Sequence, residues 1–278
     1  MRIRLLTAAD MPFALELCGQ NRWNQLAADW QRQLDLEPAG CFLAEADGQS
    51  AGVACYCTFG AVAWINLVLV DRARRGQGIG AALLRHVVQA LDERGIASIR
   101  LDATPLGQPV YARLGFTGEF TLVRFTGVLP AAGRVVADIE PLSLADLPYV
   151  FRLDEAVTGT RRENLLRHLF EADPARMRKF APSARLEGFC LARPGANAWQ
   201  IGPVQGSPQA GRRLLLDAAH QFAGQRVYLD VPIDNAAAVA VAQSLGLTEE
   251  RRFLRMGRGR RCVEKLEVFW AAFGPEKG

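Results

Sequence analysis

Lysine is nearly absent from this chain of 278 residues: it stands at positions 179, 265 and 277, so arginine carries almost all of the positive charge. That bias reads as a trait of composition rather than of function. Histidine is as scarce, with His86, His168 and His220 each on a helix-like stretch and none at metal-ligand spacing, so no metal is expected. No apolar run approaches the ~18 residues that a membrane span needs, which leaves no reason to expect a membrane partner. Met1-Arg2-Ile3-Arg4 turns polar at once, so no secretory leader is expected either. The six cysteines, at 18, 41, 55, 57, 190 and 262, form neither a C-x-x-C motif nor a paired framework. Cys55 and Cys57 lie two apart on a strand-like run and share a face, which makes them poor disulfide partners. Reduced thiols in a cytoplasmic protein are the expectation.

Charge of either sign is modest, with a net of +4, and unevenly placed. Residues 1–130 hold 12 arginines and 12 acids, so the whole excess lies beyond them. Arginines 251, 252, 255, 258, 260 and 261 invite a nucleic-acid reading. Glu249, Glu250, Glu264 and Glu267 dilute them, and Phe253 is the one aromatic interleaved. A solvated strand and tail is the expectation there, with no nucleic-acid partner.

What the chain does have is concentrated in Val68–Leu84. An apolar run ends, Asp71-Arg72-Ala73-Arg74-Arg75-Gly76-Gln77-Gly78 follows, and an amphipathic helix opens at Ile79-Gly80. Alternate glycines let backbone N–H groups approach a ligand, and a helix N-terminus carries partial positive charge and unpaired donors. Arginine adds formal charge at the same spot, so the loop suits a phosphate or pyrophosphate. Gly76 to Ala81 also satisfies G-x-G-x-x-A, with Asp102 about 20 residues on, as a dinucleotide fingerprint wants. In that fold, however, the first glycine follows its strand almost directly, and here five residues intervene.

Two motifs resemble those of the GCN5-related N-acetyltransferases, the GNAT superfamily. Arg75-Gly76-Gln77-Gly78-Ile79-Gly80 matches its Q/R-x-x-G-x-G/A signature. Tyr111-x-x-x-Gly115-Phe116 resembles its second motif, at the right distance beyond strand Ser98–Asp102. The resemblance implies an α/β protein built on a mixed, mostly antiparallel sheet flanked by helices. It also implies acetyl-CoA as co-substrate. Val68, Leu69 and Val70 would then hold the pantetheine arm and polarise the thioester. Arg75, Gly76, Gln77, Gly78, Ile79 and Gly80 would take the pyrophosphate. Tyr111 would protonate the leaving thiolate, since a phenol with pKa near 10 stays protonated at pH 7. The family often has Asn seven residues before that Tyr; here Thr104 stands there and would orient the coenzyme.

The pattern stops near Leu129-Pro130-Ala131-Ala132-Gly133 and then starts again. Arg134–Ile139 and Ala145-Asp146-Leu147-Pro148 echo Ile3–Leu6 and Ala9-Asp10-Met11-Pro12. Aligning Leu214-Leu215 with Leu83-Leu84 puts Gly211 on Gly80, Gln209 on Gly78 and Gly206 on Arg75. Aligning Gly246 with Gly115 puts Ala242 where Tyr111 stands. The expectation is therefore a tandem chain. Residues 1–128 form a catalytic domain, and 134–278 a related domain with a damaged loop and no proton donor.

Acetyl transfer to a primary amine also needs an acceptor wall and a route for the amine proton. Trp23 and Asn24, in Asn21-Arg22-Trp23-Asn24-Gln25 where a Trp is flanked by amides, are the candidates for the wall, with Trp64 on the central strand. No general base stands out; Asp102, at the end of its strand, is the candidate. A small-molecule or peptide amine is the expected partner, in a monomer or homodimer. A non-catalytic acyl-CoA-binding regulator is the alternative.

Overall fold

The structure is a computed structural model that describes residues 1–131, 136–183 and 185–278. The first half runs β1 (Arg2–Leu5), α1 (Met11–Gln20), α2 (Ala27–Leu36), β2 (Cys41–Ala46), β3 (Gln49–Phe59) and β4 (Val62–Val70). It continues with α3 (Ile79–Glu93), β5 (Ser98–Ala103), α4 (Gln108–Ala112) and β6 (Thr117–Val128). The second half repeats the order: β7 (Ile139–Pro141), α5 (Leu147–Thr158), α6 (Glu163–Ala172), β8 (Arg178–Phe180), β9 (Gly188–Arg193) and β10 (Trp199–Gly206). Then come α7 (Pro208–Gln221), β11 (Arg226–Pro232), α8 (Ala236–Ser244), β12 (Thr248–Gly259) and a short β13 (Phe269–Ala271). The expected linker at Leu129–Gly133 and the expected strand at Arg134–Ile139 fall partly outside the described residues.

These strands make one continuous sheet, in the order β1-β2-β3-β4-β5-β12-β6-β11-β10-β9-β8-β7, with β13 against β10. Among the described residues only β4–β5 and β10–β11 pair in parallel; the other pairs are antiparallel. The last long strands have changed places. β12, from the second half, pairs with β5 of the first, and β6, from the first, pairs with β11 of the second. The two exchanged strands lie side by side at the centre.

Each half is covered on both faces. α3 buries Ile79, Leu83, Leu84, Val87, Val88 and Leu91, a spacing that gathers them on one stripe against Ala54, Tyr56, Ala63 and Ile65. Full burial of such side chains is worth roughly 1.5–3 kcal/mol each. On the other face α1 and Trp30 of α2 cover Val53, Cys55, Leu67 and Leu69. α7 and α8 repeat the α3 layer against β9, β10 and β11, and α5 and α6 fill the opposite side beside Cys57 and Phe59.

Arg252, Arg260 and Arg261 are exposed, as expected of a solvated strand and tail, but Arg255 is not. β12 is central, and Arg255 on it has no exposed side-chain surface. Its guanidinium grips both oxygens of Asp102 at 2.8 and 2.9 Å and reaches Glu264 at 2.6 Å. Arg100, equally buried, pairs with Glu264 and Glu119, and both guanidiniums lie over Trp64. Removing one partner from such a network leaves an uncompensated buried charge, so the network fixes the register of the exchanged strand. Arg251, Arg252 and Arg258 pair with Glu250, Glu249 and Asp92.

Candidate active site

β4 and β5 pair only from Val62 to Trp64, against Ser98 to Arg100, and then diverge. A bulge drives the divergence. Val53 faces Leu69 and Cys55 faces Asn66, so two residues of β4 oppose one of β3, and Leu67 takes a left-handed φ of 51°. Beyond it a cleft of about 980 Å³ runs between the strands.

One end of the cleft is the glycine-rich loop. Gly76 and Gly78 have φ of 78° and 80°, a region that side-chain-bearing residues rarely adopt. Space around both is open, and no side chain caps α3, whose first turn begins directly after Gly78. Unpaired N–H donors and the helix dipole therefore face the cleft. Arg75, Gly76, Gly78, Ile79 and Gly80 line it; Gln77 is exposed and stands outside the lining. Arg74 braces the loop by donating to the Ala46 carbonyl and Gln49, and Arg75 donates to Asn21.

Val68, Leu69 and Val70 form one wall, and Thr104 and Tyr111 the other. The Thr104 carbonyl accepts from Gly107 and Gln108 and so starts α4. A Cβ at Gly107 would come within 2.9 Å of the Tyr111 ring, so glycine lets that ring lie against the turn. Phe116 meets it edge-on at 6.0 Å. Burial among these groups pushes the Tyr111 phenol up to about 12.

The remaining candidates fare differently. Asp102 has a carboxylate with no exposed surface and both oxygens held by Arg255. It is a structural counter-ion rather than a free base. Burial pushes its carboxyl up, and the Arg255 guanidinium opposes that. Trp64 does not reach the cleft: it is 1% exposed and packs under Arg100 and Arg255 beside Cys57 and Val62. A side chain two residues before the bulge stays in the sheet's core layer. Trp23 lines the cleft. Asn24 lines it too, but its amide is committed elsewhere. It donates to the Ala198 carbonyl at 2.9 Å and accepts from the N–H groups of Asn197 and Ala198, tying the α1–α2 loop to the β9–β10 turn.

Gln25, the last residue of the Asn21–Gln25 segment, lines the cleft too, and so do Asn66 and Glu276, which were not anticipated. Asn66 had a signal, a lone amide inside Ile65-Asn66-Leu67. Glu276 had none, being brought in by a tail more than 200 positions away in sequence.

A family model for acetyltransferases of the GNAT family matches residues 9–116, and one for a GNAT acetyltransferase domain matches 150–269. The chain belongs to the GNAT family. Both matches fall within this tandem GNAT protein without overlapping, one in each half. The holothin acyltransferase of Pseudoalteromonas sp. is 22% identical over 86% of this chain and 81% of its own length. The uncharacterized N-acetyltransferase YitH of Bacillus subtilis is 25% identical over 68% and 67%. A Pyrococcus horikoshii crystal structure described as an acetyltransferase superposes with a TM-score of 0.86 at 23% identity, over 100% of this chain and 95% of that one. A tandem GNAT protein from the clavulanic acid biosynthesis pathway gives 0.63 at 14% identity, over 93% and 98%. This GNAT protein is an N-acyltransferase. Among its described residues no helix is long and apolar enough to cross a membrane.

Proposed function

We propose that the chain transfers an acetyl group from acetyl-CoA to a primary amine by direct attack, in the cleft of the first half. The observation that carries this reading is the opened β4–β5 edge, with an uncapped helix and a glycine loop at one end and Tyr111 in the facing wall. The pyrophosphate would sit on the α3 N-terminus and the Gly76–Gly80 amides. The pantetheine arm would lie along Val68–Val70, whose β5-facing edge has lost its strand partner, and the thioester carbonyl would be polarised there. Holding both substrates in one cleft supplies most of the acceleration in a direct transfer. Tyr111, kept protonated by its surroundings, would give its proton to the departing thiolate. A small-molecule or peptide amine would enter beside Trp23.

Calorimetric titration with acetyl-CoA, followed by thiol release across a panel of primary amines, tests the reading. Saturable binding at one site per chain and amine-dependent release of coenzyme A are expected. Absence of acetyl-CoA binding would sink it.

A further inference from the structure

Three residues that line the cleft each bury an oxygen atom with no hydrogen-bond donor among the described residues. They are Gln25 Oε1, Asn66 Oδ1 and Glu276 Oε2, on residues 6%, 4% and 3% exposed. Leaving a buried acceptor unpaired is unfavourable, and three in one cleft from three separate elements make a pattern. The Asn66 amide is oriented, because its Nδ2 donates to the Trp64 carbonyl and leaves Oδ1 free. Glu276 is held too. Its other oxygen takes the Arg193 guanidinium, which is anchored in turn by Asp29 at 3.1 Å. The tail on either side is fixed: Ala272 N–H donates to the Asp230 carbonyl, and Arg162 donates to the Lys277 carbonyl.

We infer that Glu276, with Asn66 and Gln25, receives the ammonium group of the acceptor, and that Glu276 takes its proton. A primary ammonium offers three N–H donors and no acceptor, which matches three oxygens that each lack a donor. A hydroxyl brings one donor and asks for a donor in return. The catalytic part of this inference rests on the acetyl-transfer reading; the binding part does not. In the reaction the R–NH3⁺ proton passes to Glu276, and the freed lone pair attacks the acetyl carbonyl carbon. The C–N bond forms, the C–S bond breaks, and the thiolate takes the Tyr111 proton. The nitrogen then loses a second proton, which restores Tyr111, and Glu276 returns its proton to solvent. The products are the N-acetyl amide, coenzyme A and one proton.

n-Butylammonium chloride and 1-butanol are the probes, each titrated calorimetrically into the free protein and into the coenzyme A-loaded protein. Butylammonium should bind and butanol should not. Glu276→Gln, which keeps an oxygen for Arg193, should weaken butylammonium binding at least tenfold and leave coenzyme A affinity unchanged. Asn66→Ala should weaken it about threefold. Equal binding of the two probes, no binding of butylammonium, or full affinity in a folded Glu276→Gln chain would each overturn the inference. Should that variant fail to fold, the contrast between the probes on the wild-type chain decides alone. Failure of coenzyme A to bind would count against the acetyl-transfer reading only, because the free protein still reads the ammonium site.

Discussion

Between β4 and β5 the sheet opens beyond Trp64 and stays open; between β10 and β11 it opens beyond Ile201 and is filled. The filler is β13. Its Ala271 and Phe269 pair with Val204 and Gln205 of β10, and the next residue, Ala272, donates to Asp230 on β11. Trp270 lies so close over the first turn of α7 that any Cβ at Gly211 would collide with its indole. Asn235 ties the strap down by donating to the Leu266 and Phe269 carbonyls at 3.0 Å. The helix behind has also lost its vacancy. α7 starts two residues after β10 ends, capped by Ser207, whose hydroxyl accepts from Ala210, and opened by Pro208, which has no N–H to offer. The first half keeps a loop between Val70 and Ile79 and an uncapped α3. The opening kept in the first half is thus closed in the second in three ways at once: by a shorter loop, by a capped helix and by the chain's own inserted strand.

The comparison can be broken hardest at Trp270. Trp270→Ala should cost about 3–5 kcal/mol, read as a lower urea midpoint, because the indole fills the second opening. Acetyl-CoA stoichiometry should remain one per chain, since Ser207 and Pro208 still occupy the helix start; a second equivalent would show that the strap alone had closed the second half. Tyr111→Phe comes next. Turnover should fall about 100-fold or more with coenzyme affinity unchanged, and steady-state kinetics with unaltered kcat would remove the tyrosine's role. Gly78→Gln copies the residue that sequence alignment sets at this point of the second half. A side chain in the left-handed region costs about 1–2 kcal/mol, so acetyl-CoA should bind about tenfold more weakly by calorimetry. The smallest effect is a pH profile. Burial raises the Tyr111 phenol to about 12, and the acid is the protonated form. Its contribution therefore persists as pH rises past 10 and is lost only near 12. The kcat profile should stay flat on Tyr111's account up to pH 10.5, and a decline centred on 10 would show an ordinary phenol.

Most of the fold was legible in local patterns: the apolar strands, the Gly turns, and the repeat that placed helices such as Ala236–Ser244. The echo of Tyr111 at Ala242 is a fully buried alanine on α8, as its chemistry suggests. The second loop misled, because Gly206–Gly211 reads as a worn phosphate loop and is in fact a strand end and a capped helix start. The exchange of β6 and β12 left no local mark, since which strand a segment pairs with is a tertiary choice. For the same reason Arg255 looked solvent-facing, and Asp102 looked free until its partner arrived from the other half. The acceptor end was the least legible part, being assembled from Gln25, Asn66 and Glu276 across the length of the chain.

The exchanged strands also bear on how the molecule comes to exist. Asp102 and Arg255 meet 153 positions apart, so the sheet of the first half is finished only after nearly the whole chain has been made. Such distant pairing carries a large loop-closure cost and slows folding. Until β12 has been made, the β5 edge lacks the partner that covers it in the folded chain, and an uncovered edge is open to wrong partners. A fragment ending at Leu129 would share that fate alone, whereas two fragments meeting at the junction should rescue each other.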